Sequence, residues 1–196
     1  MSTKASKKRT KKGSSPWLLN MPQIIDCLQE LFLPDEIVEE LELIDIDELL
    51  LDGFSTIILD LDNTLLGTYE RNIPLENIHW IQQLKSLGFR VFVFSNNSDK
   101  RRVQKMCIQL KVYGTFFSMK PLPFSLKEFA KIHKINLKKT IYVGDQILTD
   151  VFVGNWVKAY SVLVLSDKYP LTFIKTIQKD IEKKLLDAGN NITLRL

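Results

Sequence analysis

The chain has 196 residues, 45% of them apolar and 26% charged, with a formal charge of +4. That length and balance fit one ordinary globular domain whose core needs no covalent staples. Cys27 and Cys107 stand far apart with no CxxC partner, which excludes a disulfide framework, and with only His79 and His133 beside them a structural zinc site is not expected.

The charge is unevenly placed. Residues 1–12 hold Lys4, Lys7, Lys8, Arg9, Lys11 and Lys12 and no acid, and without those 6 cations the rest carries 21 Lys and Arg against 23 Asp and Glu. Residues 1–15 therefore read as a disordered basic tail, either a solvated arm or a weak electrostatic hold on anionic lipid or nucleic acid. No apolar stretch of ~7–15 residues follows the cations, as a secretory signal requires. The tail is Lys-rich and lacks an apolar helical face, which suits a mitochondrial presequence poorly. Since the first acid is Asp26, the mitochondrial matrix stays open beside the cytoplasm. Free thiols fit a reducing compartment.

Residues 16–50 read as an N-terminal helical segment. Ile24, Ile25, Leu28, Leu31 and Phe32 form one apolar helical stripe. After Pro34-Asp35 the spacing predicts a second helix, with Ile37, Val38 and Leu41 on its inner face. The segment either packs on the core or lies at a membrane surface, possibilities that the nearby Trp17 does not separate. Gln23, Asp26, Gln29 and Glu30 make the polar face of the first helix, so it lacks the cations of interfacial helices.

Residues 51–196 alternate strand and helix. Strands are predicted at Ser55–Leu59, Val91–Phe94, Thr115–Phe117, Thr140–Val143 and Tyr160–Leu165. Helical patterns lie near 75–87, 99–110, 124–134, 147–157 and 172–188. The apolar run from Phe54 to Leu66 is broken by Asp60 and Asp62 and falls short of the ~18–20 residues that span a bilayer. Strands alternating with helices imply an α/β fold in three layers, a mainly parallel sheet covered on both faces. Its ligand crevice is expected beyond the carboxyl ends of the strands.

Those ends carry chemistry. The first runs into Asp60-Leu61-Asp62-Asn63-Thr64, placing two carboxylates on one side if the chain stays extended. The second ends in Ser95-Asn96-Asn97, hydroxyl and amide donors suited to a phosphate or to capping the next helix. The third leads to Lys120-Pro121, and the fourth to Gly144-Asp145-Gln146 with Asp150 shortly after. Singly, each reads equally as a turn, a cap or a surface residue. Together, four acids on one crevice call for a cation, and all-oxygen ligands select a hard one such as Mg²⁺. A metal, a lysine and donors around a carboxylate describe a phosphoryl-transfer site with an acid as nucleophile.

These four stretches resemble, in order, the motifs of the haloacid dehalogenase (HAD) superfamily. With Leu33-Pro34-Asp35, Ile44-Asp45-Ile46-Asp47, Lys120-Pro121-Leu122-Pro123 and Gly154-Asn155, the chain is similar to the YqeG-type subclass IIIA phosphatases, the group that contains phosphatidylglycerophosphate phosphatases. The resemblance implies a HAD-like Rossmannoid fold and the following roles. Asp60 is the nucleophile that becomes an aspartyl-phosphate, and Asp62 is the general acid and base. Asp60, the backbone carbonyl of Asp62, and Asp145 hold Mg²⁺, with Asp150 acting through a water or by orienting its neighbours. Ser95 and Asn96 bind the phosphoryl oxygens, Lys120 neutralises charge, and Thr64 steadies the loop beside the phosphate.

The spacings leave no room for a cap domain, either between Leu65 and Leu75 or between Asn97 and Lys120. An open site suits a phosphate on something too large to enclose. The leading expectation is hydrolysis of phosphatidylglycerophosphate, with the phosphorylated lipid head group as substrate and peripheral contact with an anionic membrane. The alternatives are a capless phosphatase for a phosphoprotein, nucleic acid or other ester, and a non-catalytic module. No stable nucleic-acid partner is expected. One departure from the family pattern is Lys158, where a glycine ending a helix is expected, which predicts an altered turn.

Overall fold

The computed structural model describes residues 30–165. The expectations for the basic tail, Trp17, most of the first helical stripe and the helix near 172–188 lie outside these residues.

Six strands form one sheet in the order β1-β6-β5-β2-β3-β4, every neighbouring pair parallel. They are β1 (Glu36–Val38), β2 (Thr56–Leu59), β3 (Arg90–Phe94), β4 (Tyr113–Thr115), β5 (Thr140–Gly144) and β6 (Tyr160–Val164). The helices are α1 (Ile46–Leu51), α2 (Leu75–Ser86), α3 (Lys100–Leu110), α4 (Pro123–Ile132) and α5 (Phe152–Trp156), the last entered through a wide π turn at Ile147–Val151.

The period of two along each strand divides the core between the two faces. Ile57, Leu59, Val91, Val93, Ile141 and Val143 pack with Trp80, Ile81 and Leu84 of α2 and Val103 and Met106 of α3. On the other face Ile58, Phe92, Phe94 and Tyr142 meet Leu126 and Phe129 of α4 and Val153 of α5. Both faces are buried, which is why the central strands are apolar throughout instead of alternating.

One expected helix is a strand. Residues 36–38 form β1, in register with Val162–Val164 of β6. The β-branched Ile37 and Val38 suit a pleated surface, and Pro34 favours extended backbone just before it. Asp35 locks the pairing: its carboxylate accepts from the Ser161 backbone N–H at 2.7 Å and the Ser161 hydroxyl at 3.1 Å. Asn155 donates to the Leu33 carbonyl at 2.7 Å. Val38, Leu41, Ile44, Ile46 and Leu49 then join the main core.

β4 begins two residues earlier than expected, leaving Phe116 and Phe117 in the following loop. Lys158 does adopt the left-handed conformation, with φ of 62°, so the turn is kept without its glycine. The Ala159 N–H donates to the Gly154 carbonyl and the Lys158 N–H to the Asn155 carbonyl, each at 3.0 Å, closing the helix end despite the Cβ. Among the described residues no domain is inserted at either cap position, and no helix is long and apolar enough to cross a membrane.

Candidate active site at the carboxyl ends of the strands

Strand β2 lies between β3 and β5, where the order of connections reverses, and this is where an open parallel sheet forms a crevice. Asp60 follows β2 directly, and its backbone N–H donates to the Val143 carbonyl at 2.9 Å, extending the β2–β5 ladder to the edge of the crevice. Asp145 follows β5, and Asp150 closes the π turn. All three acids are buried, and oxygens of the three lie within 4.8 Å of one another.

Lys120 comes to them from the loop after β4. Its ammonium donates to Asp60 at 2.5 Å and to Asp150 at 2.6 Å, and all three side chains are buried. Burial pushes the Asp60 carboxyl up to about 6, against the pull of Lys120 and with a further push from Asp150. Burial likewise raises Asp150. For Lys120, burial works against the charge, but Asp60, Tyr142 and Asp150 overcome it and hold the ammonium well above the ordinary lysine range. Lys120 thus pairs with two of the three buried carboxylates. The all-oxygen donor set that Asp60, Asp145 and Asp150 bring within reach of one another fits a hard divalent cation.

Close packing shapes this cluster. A Cβ on Gly144 would come within 2.3 Å of the Asp150 Cγ, so only glycine lets Asp150 fold back against β5. The Gln146 backbone N–H donates to Asp150 at 3.1 Å. Asn63, left-handed at φ of 60°, donates to Asp145 at 3.3 Å.

Asp62 belongs to a different environment. Its carboxylate accepts from Arg102 at 2.9 Å and from Asn97 at 2.7 Å, and it is not one of the three clustered acids. The extended geometry that would put Asp60 and Asp62 side by side ends at Leu59, and the chain turns through Asn63 into a bridge between Asp62 and Leu66. Any metal contact of Asp62 is left to its backbone, since the side chain is committed elsewhere.

Ser95 and Asn96 differ in what they touch. Ser95 is buried at the end of β3, and its oxygen accepts from the Asn97 N–H at 3.0 Å. Asn96, by contrast, is occupied by the Lys120 loop. Its side-chain oxygen accepts from the Ser118 hydroxyl at 2.9 Å and the Lys120 N–H at 2.8 Å, and its nitrogen donates to the Lys120 carbonyl at 3.0 Å. With three hydrogen bonds made to this loop, the Asn96 side chain is a brace that aims Lys120. Thr64 is buried, and its hydroxyl has no hydrogen-bond partner among the described residues.

Arg102 and Asn97 fix the orientation of Asp62; the sequence reads Asn97 only as one of the donors ending the second strand and assigns Arg102 no role. Their only signal was position, within and just past the donor run that opens α3. Arg102 also binds the Gly67 carbonyl at 3.2 Å and the Glu70 carbonyl, tying α3 to the loop after the first acid pair. Tyr142 lies buried beneath the cluster, close enough to act on Lys120 electrostatically, and burial raises its hydroxyl well above the usual tyrosine range.

Comparison with known proteins adds three findings. The HAD-hydrolase-like family model matches residues 118–184. The Bacillus subtilis (strain 168) protein named "Probable phosphatase YqeG" is 30% identical over 161 residues, covering 82% of this chain and 93% of its own. Among solved structures, the cobalt-bound deoxy-D-mannose-octulosonate 8-phosphate phosphatase (YrbI) of Haemophilus influenzae aligns with a TM-score of 0.50 at 14% identity. That alignment covers 71% of this chain and 91% of the other, a likeness of fold.

Proposed function

Because the chain belongs to the HAD-superfamily phosphatases, we propose that it is a Mg²⁺-dependent phosphomonoesterase that removes the terminal phosphate of phosphatidylglycerophosphate. The observation that carries the phosphatase chemistry is the buried cluster at the end of β2. Asp60 lies 2.5 Å from Lys120, and oxygens of Asp60, Asp145 and Asp150 fall within 4.8 Å of one another.

Asp60 is the only clustered acid directly continuing the central strand, so its backbone is fixed by the sheet. An oxygen of its carboxylate attacks phosphorus and the bond to the leaving alkoxide breaks, leaving an aspartyl-phosphate. Asp62, held by Arg102 and Asn97, gives the proton that the alkoxide needs and then takes one from the water that hydrolyses the acyl phosphate. Lys120 offsets negative charge on Asp60 and on the transferring group, and Asn96 keeps it aimed. Ser95 and Thr64 supply hydroxyls near the phosphoryl oxygens. A bound Mg²⁺ would supply charge stabilisation between nucleophile and phosphate. Catalysis of this kind rests on positioning and electrostatics, so several parts are each indispensable.

The lipid substrate is supported by the likeness to the YqeG-type group and by the absence of a cap among the described residues, which leaves the mouth open to a phosphate carried on a large body. A phosphatase for small metabolites ordinarily closes over its substrate. The test is phosphate release from phosphatidylglycerophosphate in mixed micelles with Mg²⁺, run beside EDTA, Asp60→Asn and a soluble aryl phosphate. Metal-dependent release from the lipid, lost in Asp60→Asn, is expected. Turnover of the aryl phosphate alone would keep the chemistry and remove the lipid assignment.

A further inference from the structure

We propose that the loop from Phe116 to Phe124 is the surface by which this protein docks on an anionic lipid bilayer. The surface is argued from this loop and its charges, while what docking achieves, delivery of a lipid phosphate, rests on the function proposed above.

The loop turns its residues alternately inward and outward. Ser118 and Lys120 are buried in the site, while Phe117 is 62% exposed, Met119 41%, Leu122 45% and Phe124 55%. Phe117 and Met119 have φ of 49° and 57°, a left-handed backbone that bulky residues rarely adopt because it strains the chain. Hydrogen bonds hold that conformation: the Phe117 N–H donates to Asn97 and the Ser118 N–H to Ser95, at 3.0 and 2.9 Å. The geometry that drives Lys120 into the cluster thus also displays two large apolar side chains at its mouth. Left in water, they gain nothing for the fold.

Charge identifies the occupant. Between Asp99 and Glu128, residues 100–127 contain 7 Lys and Arg and no acid. Lys120 and Arg102 serve the site, but Lys100, Arg101 and Lys127 are exposed, and the Lys100 ammonium lies 5.5 Å from the centre of the Phe116 ring. Asp99 uses its carboxylate to cap α3, accepting from the Arg101 and Arg102 N–H groups. Exposed cations flanking protruding apolar side chains match the two layers of a membrane interface, anionic headgroups above and acyl chains beneath. A nucleic acid would suit the cations and stack on the phenylalanines, but Met119 and Leu122 offer it no partner. A bilayer accommodates all five apolar side chains.

The test is co-sedimentation of the full chain with vesicles of phosphatidylcholine alone or mixed with phosphatidylglycerol. It is read at low salt and at about 0.3 M, where the Lys-rich residues 1–12 are strongly screened. Asparagine tolerates left-handed backbone, so Phe117→Asn/Met119→Asn removes the apolar surface without demanding a new conformation. Leu122→Ser/Phe124→Ser tests the other end of the loop. At the higher salt each pair is expected to weaken binding to the mixed vesicles about tenfold or more. Lys100→Glu/Arg101→Glu is expected to weaken it about tenfold at low salt. Turnover of the soluble aryl phosphate should stay within about twofold in all three. Wild-type vesicle binding by both apolar pairs would overturn the proposal, as would lost affinity for an RNA oligomer with vesicle binding intact. Loop-dependent docking without hydrolysis of phosphatidylglycerophosphate would uphold the surface and reject the substrate.

Discussion

The two ends of the sheet are built from similar materials to opposite effect. At the amino ends a crevice of about 520 Å³ is lined by Glu30, Asp35, Lys138 and Lys158 beside Phe54 and Tyr160. Its one ion pair between side chains, Lys158 with Glu30 at 3.4 Å, has both partners about two-thirds exposed. At the carboxyl ends the charges of Asp60, Lys120 and Asp150 are withdrawn from water and held at 2.5–2.6 Å. Water screens the first set until it is worth almost nothing. The second set has no water to screen it, so each charge alters its neighbours' ionisation and reactivity. Chemistry follows the burial of charge rather than the size of the hollow.

The sharpest way to break this contrast is to neutralise the buried nucleophile. Asp60→Asn should lower turnover by about 10⁴-fold or more while keeping the fold, checked by single-turnover phosphate release and circular dichroism. Lys120→Ala should cost about 10³-fold in kcat and also destabilise the protein by roughly 3–5 kcal/mol, since it leaves buried carboxylates without their ammonium. Urea unfolding measures the second effect.

Acidity offers a test in the metal-free protein. The folded Asp60 carboxyl holds its proton up to about 6, against an ordinary 3.8. The native state is therefore favoured by this group at low pH, and that contribution is lost as pH rises from about 4 through about 6. Thermal unfolding with EDTA should show the loss, and Asp60→Asn should flatten it. Mg²⁺ should raise the melting temperature more at pH 7 than at pH 5, because the cation competes with that proton.

Arg102→Ala reaches the site through Asp62 and should lower kcat about 10–100-fold with little change in KM. Its pH profile should shift where that of a merely structural variant would not. At the amino end the smallest effect is expected. Lys158→Gly relieves a left-handed backbone and should stabilise the fold by up to about 1 kcal/mol, with activity unchanged.

Much of this was legible in the sequence, for physical reasons. The central strands read correctly because burial on both faces demands runs such as Ile57-Ile58-Leu59, and the acids ending them stand out against that background. Asp60, Asp145, Asp150 and Lys120 were all drawn from strand ends, and the sheet brings them together. Edges and partners were harder. β1 has only 3 residues and is defined by its pairing with β6, so its apolar spacing imitated a helix. The brace that Asn96 makes on the Lys120 loop was hidden because residue type does not reveal which hydrogen bonds are already taken. Arg102 was invisible because its partner, Asp62, lies 40 positions away and only the fold joins them.

The central claim is that a carboxylate at the end of β2, and no other acid in the cluster, receives the phosphoryl group. The direct measurement is to quench the enzyme during turnover with Mg²⁺ and substrate, reduce it with borohydride, and map the peptides by mass spectrometry. Reduction converts an aspartyl-phosphate to homoserine. Homoserine at position 60 is expected, dependent on Mg²⁺ and substrate and absent in Asp60→Asn. Homoserine at Asp62, Asp145 or Asp150, or undiminished turnover by Asp60→Asn, would contradict it.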